Sequence, residues 1–285
     1  MADIRVGDTP MNTQDGQGVL IDDVGSQPRF FFQSGDMVYF FADDNNSGRE
    51  LWKIDTSRAS SGATLVKDIN PGSDDSIHLF YDPEFVQMNY DIYFAADNGV
   101  NGEELWKTNG FGLGTTMVKD INPGSSYGYP SQLTVVGSML YFQGFSSNTT
   151  IELFQSDGTS DGTSSIYANG SYLLTTNGYE LYYAGDNGHV WKYDGVTNDL
   201  IYSNEDEIIA DMVAFGNNVY FSVMSFEVSG ELITILYETE GYADLTFSIL
   251  EGDLEEFTVA GDTLFYTNQN KLNYYSPNSG AFITV

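Results

Sequence analysis

Short apolar runs alternate along the chain with clusters of Asn, Asp, Gly, Ser and Thr, the pattern of strands separated by turns. Met37-Val38-Tyr39-Phe40-Phe41 is apolar without a break. A half-exposed strand would alternate apolar and polar residues, so this strand is expected to be covered on both faces. Further along, strands are predicted at about 84–88, 92–96, 104–108 and 116–121. The turns between them fall at Asn89-Tyr90-Asp91, Asp97–Gly102 and Asn109–Gly114.

This group of four strands recurs. Gly48-Arg49-Glu50-Leu51-Trp52-Lys53 aligns with Gly102-Glu103-Glu104-Leu105-Trp106-Lys107, and Leu65–Ser73 aligns with Met117–Ser125, sharing Val-Lys-Asp-Ile-Asn-Pro-Gly-Ser. Each copy carries an aromatic pair, first at Tyr39-Phe40 and Tyr93-Phe94. The pair or a relative returns at Tyr141-Phe142, Tyr182-Tyr183, Tyr220-Phe221 and Phe265-Tyr266. Six copies spaced about 40–50 residues apart fall in the range of propeller blades. Four short strands cannot bury their own faces, so neighbouring copies must stack. The expected fold is therefore all-β, a β-propeller of about six four-stranded blades over residues 19–285. Residues 1–18 are read as an N-terminal arm. Val19–Ser26 resembles a lone fourth strand that could close a ring, although 281–285 already supplies one to the last copy.

Glu-Leu-Trp-Lys, followed by Asp/Asn-Gly-Thr and Lys-Asp-Ile-Asn-Pro-Gly-Ser, resembles the bacterial ELWxxDGT repeat family. Glu152-Leu153-Phe154-Gln155-Ser156-Asp157-Gly158-Thr159 keeps the frame with Phe for Trp. Val190-Trp191-Lys192-Tyr193-Asp194-Gly195 keeps its centre, and the match weakens toward the C-terminus. The resemblance implies a propeller and an extracellular setting, and no particular reaction.

Composition narrows the partners. A net charge of −31 repels phosphate backbones and anionic lipid, so neither nucleic acid nor an acidic membrane is expected. Without cysteine there is no disulfide, thiolate nucleophile or cysteine-type zinc site. No apolar run is long enough to span a membrane, and Met1-Ala2-Asp3-Ile4-Arg5 lacks a signal-peptide core.

Candidate chemistry is sparse. Trp52, Trp106 and Trp191, the only tryptophans, share one repeat position, which marks them as packing residues of the repeat; an aromatic sugar platform is the alternative. Lys53, Lys107 and Lys192 follow directly. Each is expected to lay its stem on a neighbour and keep its ammonium in water. The loops that open at Asp43, Asp97 and Asp186 are rich in the oxygen ligands that calcium takes, but they miss the EF-hand spacing and are explained as hairpin turns. No metal or other cofactor is expected, with calcium at those loops as the alternative. Neither His78 nor His189 lies in a nucleophile motif, and no enzyme activity is expected. Two uses remain. One is a structural protein of an assembly, a virion surface component such as a capsid decoration or tail fibre, with protein partners and a homo-oligomer as one form. The other is an extracellular adhesin or glycan-binding module. In an assembly, Ile4, Arg5 and Val6 are the candidates to add a strand to a partner's edge.

Overall fold

The computed structural model describes residues 26–58, 62–78, 83–147, 150–167, 170–226, 232–243, 246–252, 254–260, 263–268, 271–276 and 281–284. The arm at 1–18, with Ile4, Arg5 and Val6, and most of the segment 19–26 lie outside them.

Among the described residues, six four-stranded sheets follow one another. The first holds β1 (Arg29–Ser34), β2 (Met37–Asp43), β3 (Arg49–Asp55) and β4 (Thr64–Lys67). The second holds β5 (Val86–Met88), β6 (Asp91–Asp97), β7 (Glu103–Thr108) and β8 (Thr116–Lys119). The third comprises β9 (Ser131–Val136), β10 (Met139–Ser147), β11 (Thr150–Ser156) and β12 (Ser164–Tyr167). The fourth comprises β13 (Ser171–Thr176), β14 (Leu181–Gly185), β15 (His189–Tyr193) and β16 (Asn198–Ser203). In the fifth are β17 (Ile208–Phe215), β18 (Asn218–Phe226), β19 (Leu232–Thr239) and β20 (Thr246–Gly252). In the sixth are β21 (Leu254–Ala260), β22 (Thr263–Asn268), β23 (Lys271–Ser276) and β24 (Ala281–Thr284). Strands lie in chain order within every sheet, as short hairpin connections dictate. The expectation of six four-stranded copies holds, including a fourth strand for the last one.

The chain divides into two compact units. One comprises Met1–Leu133, Gln143–Thr150 and Phe154–Ser165; the other comprises Thr134–Phe142, Ile151–Leu153 and Ile166–Val285. In the first unit the second strands are covered on both faces: Tyr39, Phe40, Phe41, Tyr93 and Phe94 are all buried. Phe41 of β2 meets Phe94 of β6 edge-on, with centroids 5.9 Å apart, and stacks on Phe85 at 5.3 Å. In the second unit Tyr182, Phe221 and Val223 share one core with Ile201 and Met212. Burying each such ring contributes about 1.5–3 kcal/mol.

A bulge recurs between the third and fourth strands. The register shifts at Leu51/Trp52, Leu105/Trp106, Val190/Trp191 and Leu236/Tyr237. The extra residue on the fourth strand is Val66, Val118, Ile201 or Ile249, and the first three of these are buried. Each bulge twists its strand and turns one more apolar side chain inward.

Two predicted strands are shorter in the structure. The strand expected over 116–121 ends at Lys119 because the N–H groups of Ile121 and Asn122 donate to the Glu104 carboxylate and leave the ladder. The strand expected from 84 begins at Val86, while the Glu84 carboxylate accepts the N–H of Leu133 at 2.8 Å.

Candidate functional site

The repeated motif residues form two structural devices, and the candidate site appears where one copy departs from the pattern. The first device is the Glu of Glu-Leu-Trp. Glu50 is fully buried and accepts N–H bonds from Ile69 at 2.7 Å and Asn70 at 3.2 Å. Glu104 is equally buried and accepts from Ile121 at 2.6 Å, Asn122 at 3.5 Å and Gly128 at 3.0 Å. Each carboxylate thus ties down the Asp-Ile-Asn-Pro-Gly loop of its own copy. Burial pushes both groups up to about 8, against the pull of the N–H bonds they accept.

The second device is a clasp on the next turn. Lys53 lies opposite Tyr39 and Lys107 opposite Tyr93 in the ladders. The Lys53 ammonium donates to the Gly110 carbonyl at 2.7 Å, and that of Lys107 donates to the Gly158 carbonyl at 3.0 Å. Lys67 and Lys119 reach the same two turns, at Thr115 O (3.0 Å) and Ser160 O (3.2 Å). In the second unit Lys192 pairs with Glu180 at 3.2 Å and sits 4.6 Å above the Tyr242 ring. The expectation that these ammonium groups point into water is therefore corrected. The partly exposed Lys53 and Lys107 ammonium groups are met by turn carbonyls, and the buried Lys192 ammonium by the Glu180 carboxylate, since a cation leaving water needs an acceptor. Each turn is itself closed by a hydroxyl pair seven residues apart. Thr108 bonds Thr115 at 2.7 Å, Ser156 bonds Thr163 at 2.7 Å, and Thr246 bonds Thr239 at 2.9 Å.

The departure lies between the first and second copies. In the first, Arg49 is buried and pairs with Asp75 at 3.3 Å. Glu103 stands at the matching position of the second copy, with Tyr127 for Asp75 and Tyr129 for Ile77. The backbone frame is shared: Ser76 N–H donates to Arg49 O at 3.0 Å, and Gly128 N–H donates to Glu103 O at 3.0 Å. The side chains differ: Glu103 and Tyr129 line a cavity of about 260 Å³ together with Ile77, His78, Glu84, Pro130, Ser131 and Phe145.

Rings form one wall of this cleft. Tyr127 stacks on Tyr129 with centroids 5.2 Å apart, His78 meets Tyr127 edge-on at 5.0 Å, and Phe145 meets Tyr129 edge-on at 6.1 Å. Tyr129 keeps 36% of its surface exposed. Its φ of 45° is unusual for a bulky residue, and it is held there by an N–H bond to Glu103 O at 3.2 Å. Glu103 is only 8% exposed. Burial, with the Asp97 charge second, raises its carboxyl to about 7, while the His78 N–H pulls the other way. His78 Nε2 lies 3.7 Å from Asp97 Oδ2. The arrangement offers a ring face and carboxylate oxygens side by side, which suits an organic cation or a polar ligand with an apolar face.

The residues singled out from the sequence stand elsewhere, with one exception. Trp52 and Trp106 are buried in the first unit; Trp191 is half-buried, 5.9 Å from the rings of Tyr167 and His189. Asp43 accepts the N–H of Asn45 at 2.6 Å. Asp97 likewise accepts that of Gly99 at 2.7 Å, and through His78 it borders the cleft. Asp186 follows β14 and lies against Gly170. Among the described residues no group of three or more His, Asp or Glu is placed to hold a metal ion. Glu103, Tyr127 and Tyr129 were not identified from the sequence, although the comparison of the two copies contains their signal as substitutions in an otherwise matching frame.

No family model matches this chain, and no curated protein matches it. Solved structures resemble it in fold. An uncharacterized protein of Listeria monocytogenes aligns with a TM-score of 0.55 and 11% identity, over 94% of this chain and 85% of that one. A puromycin-hydrolyzing peptidase of Mycobacterium tuberculosis aligns with a TM-score of 0.55 and 9% identity, over 90% of this chain. This chain spans 46% of that peptidase. An oligogalacturonate lyase of Vibrio parahaemolyticus aligns with a TM-score of 0.50 and 10% identity, over 89% of this chain and 75% of that one. At these identities the likeness extends to the fold alone, which is β-propeller-like and all-β.

Proposed function

We propose that the six sheets are the blades of one β-propeller and that the protein works by binding a protein partner in an assembly, not by catalysis. The observation that carries this reading is the cleft of the first unit. There the repeat keeps its backbone frame and has, in place of an internal Arg49–Asp75 ion pair, Glu103 and a Tyr129 ring stacked on Tyr127, with Glu103 and Tyr129 lining a cavity. The Tyr129 ring stays exposed on the cavity beside a buried carboxylate, and recognition explains an exposed ring there better than packing does. The resemblance to ELWxxDGT repeats supports an extracellular setting, and a virion surface component is the assembly proposed. The exposed Tyr129 ring, stacked on Tyr127, also favours a second reading, a glycan-binding module.

Selection of ligands from a peptide display library and, in parallel, from a glycan array separates the two. Peptide ligands whose affinity falls at least tenfold on Tyr129→Ala are expected. Ligands confined to glycans would establish the second reading, and peptide binding indifferent to Tyr129→Ala would remove the cleft from the function.

A further inference from the structure

We infer that the cleft takes a basic side chain of the partner protein, an arginine whose guanidinium lies on the Tyr129 ring and meets the carboxylates of Glu103 and Glu84. This deepens the proposed function and rests on it.

Three observations converge. The lining joins ring faces to two carboxylates, and a cation over an aromatic face is attracted by the ring quadrupole, more strongly when desolvated. Among the described residues Glu103, buried, has no basic ion-pair partner at the position where the first copy holds Arg49 against Asp75. The second copy thus places a carboxylate where the first holds an arginine, and a guanidinium supplied from outside gives it the ion pair that the neighbouring copy makes internally. A planar fork can bond that carboxylate through two N–H groups, which an ammonium does not do. Size argues the same way. A cavity of about 260 Å³ falls below the range of about 300–1,000 Å³ that drug-sized ligands occupy, and it matches a single long side chain better than several sugar rings.

The whole molecule favours such a partner. With a net charge of −31 the protein draws basic surfaces toward itself and repels acidic ones. Long-range attraction alone would act at any acidic patch, so the test must separate the cleft from the general field.

The probe is a fluorescent hexapeptide of glycine and serine with one central arginine, compared with the same peptide carrying citrulline, the neutral isostere. Binding is read by polarisation at low and moderate salt on the full chain and on four variants: Tyr129→Ala, Glu103→Gln, Glu84→Gln and, as a control of equal charge change, Asp161→Asn at an exposed turn. The arginine peptide is expected to bind at least tenfold tighter than the citrulline peptide. That preference should be lost in the cleft variants and kept in Asp161→Asn. Melting curves establish that each variant is folded, and if Glu103→Gln is not, Glu84→Gln and Tyr129→Ala carry the comparison. Equal affinity for the two peptides, or an equal loss in Asp161→Asn, would overturn the inference. The two levels fail differently: neutral peptides selected through Tyr129 would leave the proposed function standing without the cation, whereas a library that yields no peptide would remove the proposed function itself.

Discussion

A buried carboxylate is costly unless its oxygens are bonded, and Glu50 and Glu104 meet that cost with backbone N–H groups of loops that have no ladder to join. Removing the acceptor in Glu104→Ala leaves the N–H groups of Ile121 and Asn122 without their carboxylate, while Gly128 N–H keeps its bond to Glu103 O, and a loss of about 3 kcal/mol is expected in denaturant melts at pH 7. The two groups also set a pH dependence. Their folded values of about 8 stand above the ordinary 4.5, so the folded state holds the proton more tightly. Their contribution is fully present below about pH 4.5 and is lost as pH rises toward 8. General repulsion among the acids acts in the same direction, so the informative quantity is the difference between the native chain and the double variant Glu50→Gln, Glu104→Gln. That difference in melting temperature should narrow between pH 5 and pH 8, and a constant difference would show that neither carboxyl titrates in this range.

At the scale of the element, the Asp/Asn-Gly-Thr turn is a docking point for the preceding sheet as well as a reversal of the chain. Gly158 has a φ of 89°, and a Cβ placed there would overlap the Tyr93 hydroxyl. Gly158→Ala combines left-handed strain of about 1 kcal/mol with that overlap, and a total of about 2–3 kcal/mol is expected. Tyr93→Phe removes the hydroxyl, so in a double-mutant cycle the second change should recover part of the loss. Strict additivity would mean that the strain alone sets the cost. The second strands test the packing of whole sheets. Phe94 is fully buried between neighbours that include Phe41 and Phe85, and Phe94→Ala is expected to cost about 3–5 kcal/mol in chemical denaturation. A change below about 1 kcal/mol would contradict the burial.

For the whole molecule, charge is distributed by scarcity. Seven of the ten basic residues, Arg49, Lys53, Arg58, Lys67, Lys107, Lys119 and Lys192, are committed to turn carbonyls or ion pairs. The acids are left to dominate the field toward solvent. If the six sheets close as a propeller, small-angle scattering of the monomer should give a radius of gyration of about 19 Å, the value of a compact chain of this length. An open array of sheets would give a distinctly larger one. The Asp loops predict the response to metal. The Asp43 and Asp97 carboxylates already accept turn N–H bonds, so melts in excess chelator and in millimolar calcium should agree within about 2 °C. A large upward shift with calcium would establish a native-state site, by mass action.

Repetition made much of the fold legible in advance. An unbroken apolar run such as Met37–Phe41 can only be a strand covered on both sides, and the recurrence of an aromatic pair at six places counts the sheets, because periodicity is a local property of the chain. The roles of the motif residues were not legible in this way. Whether the Lys53 ammonium meets water or the Gly110 carbonyl depends on a residue 57 positions away, and the N–H groups that end β8 early go to a carboxylate on another strand. The cleft belongs to the same category. Glu103, Tyr127 and Tyr129 are unremarkable in the linear chain; they become a site because the fold sets the loop of one copy beside the strand of the next and brings His78, Glu84 and Phe145 around them. Local patterning decided the strands and their number, whereas long-range packing decided which polar groups are buried, what satisfies them, and where a ring and a carboxylate face the same space.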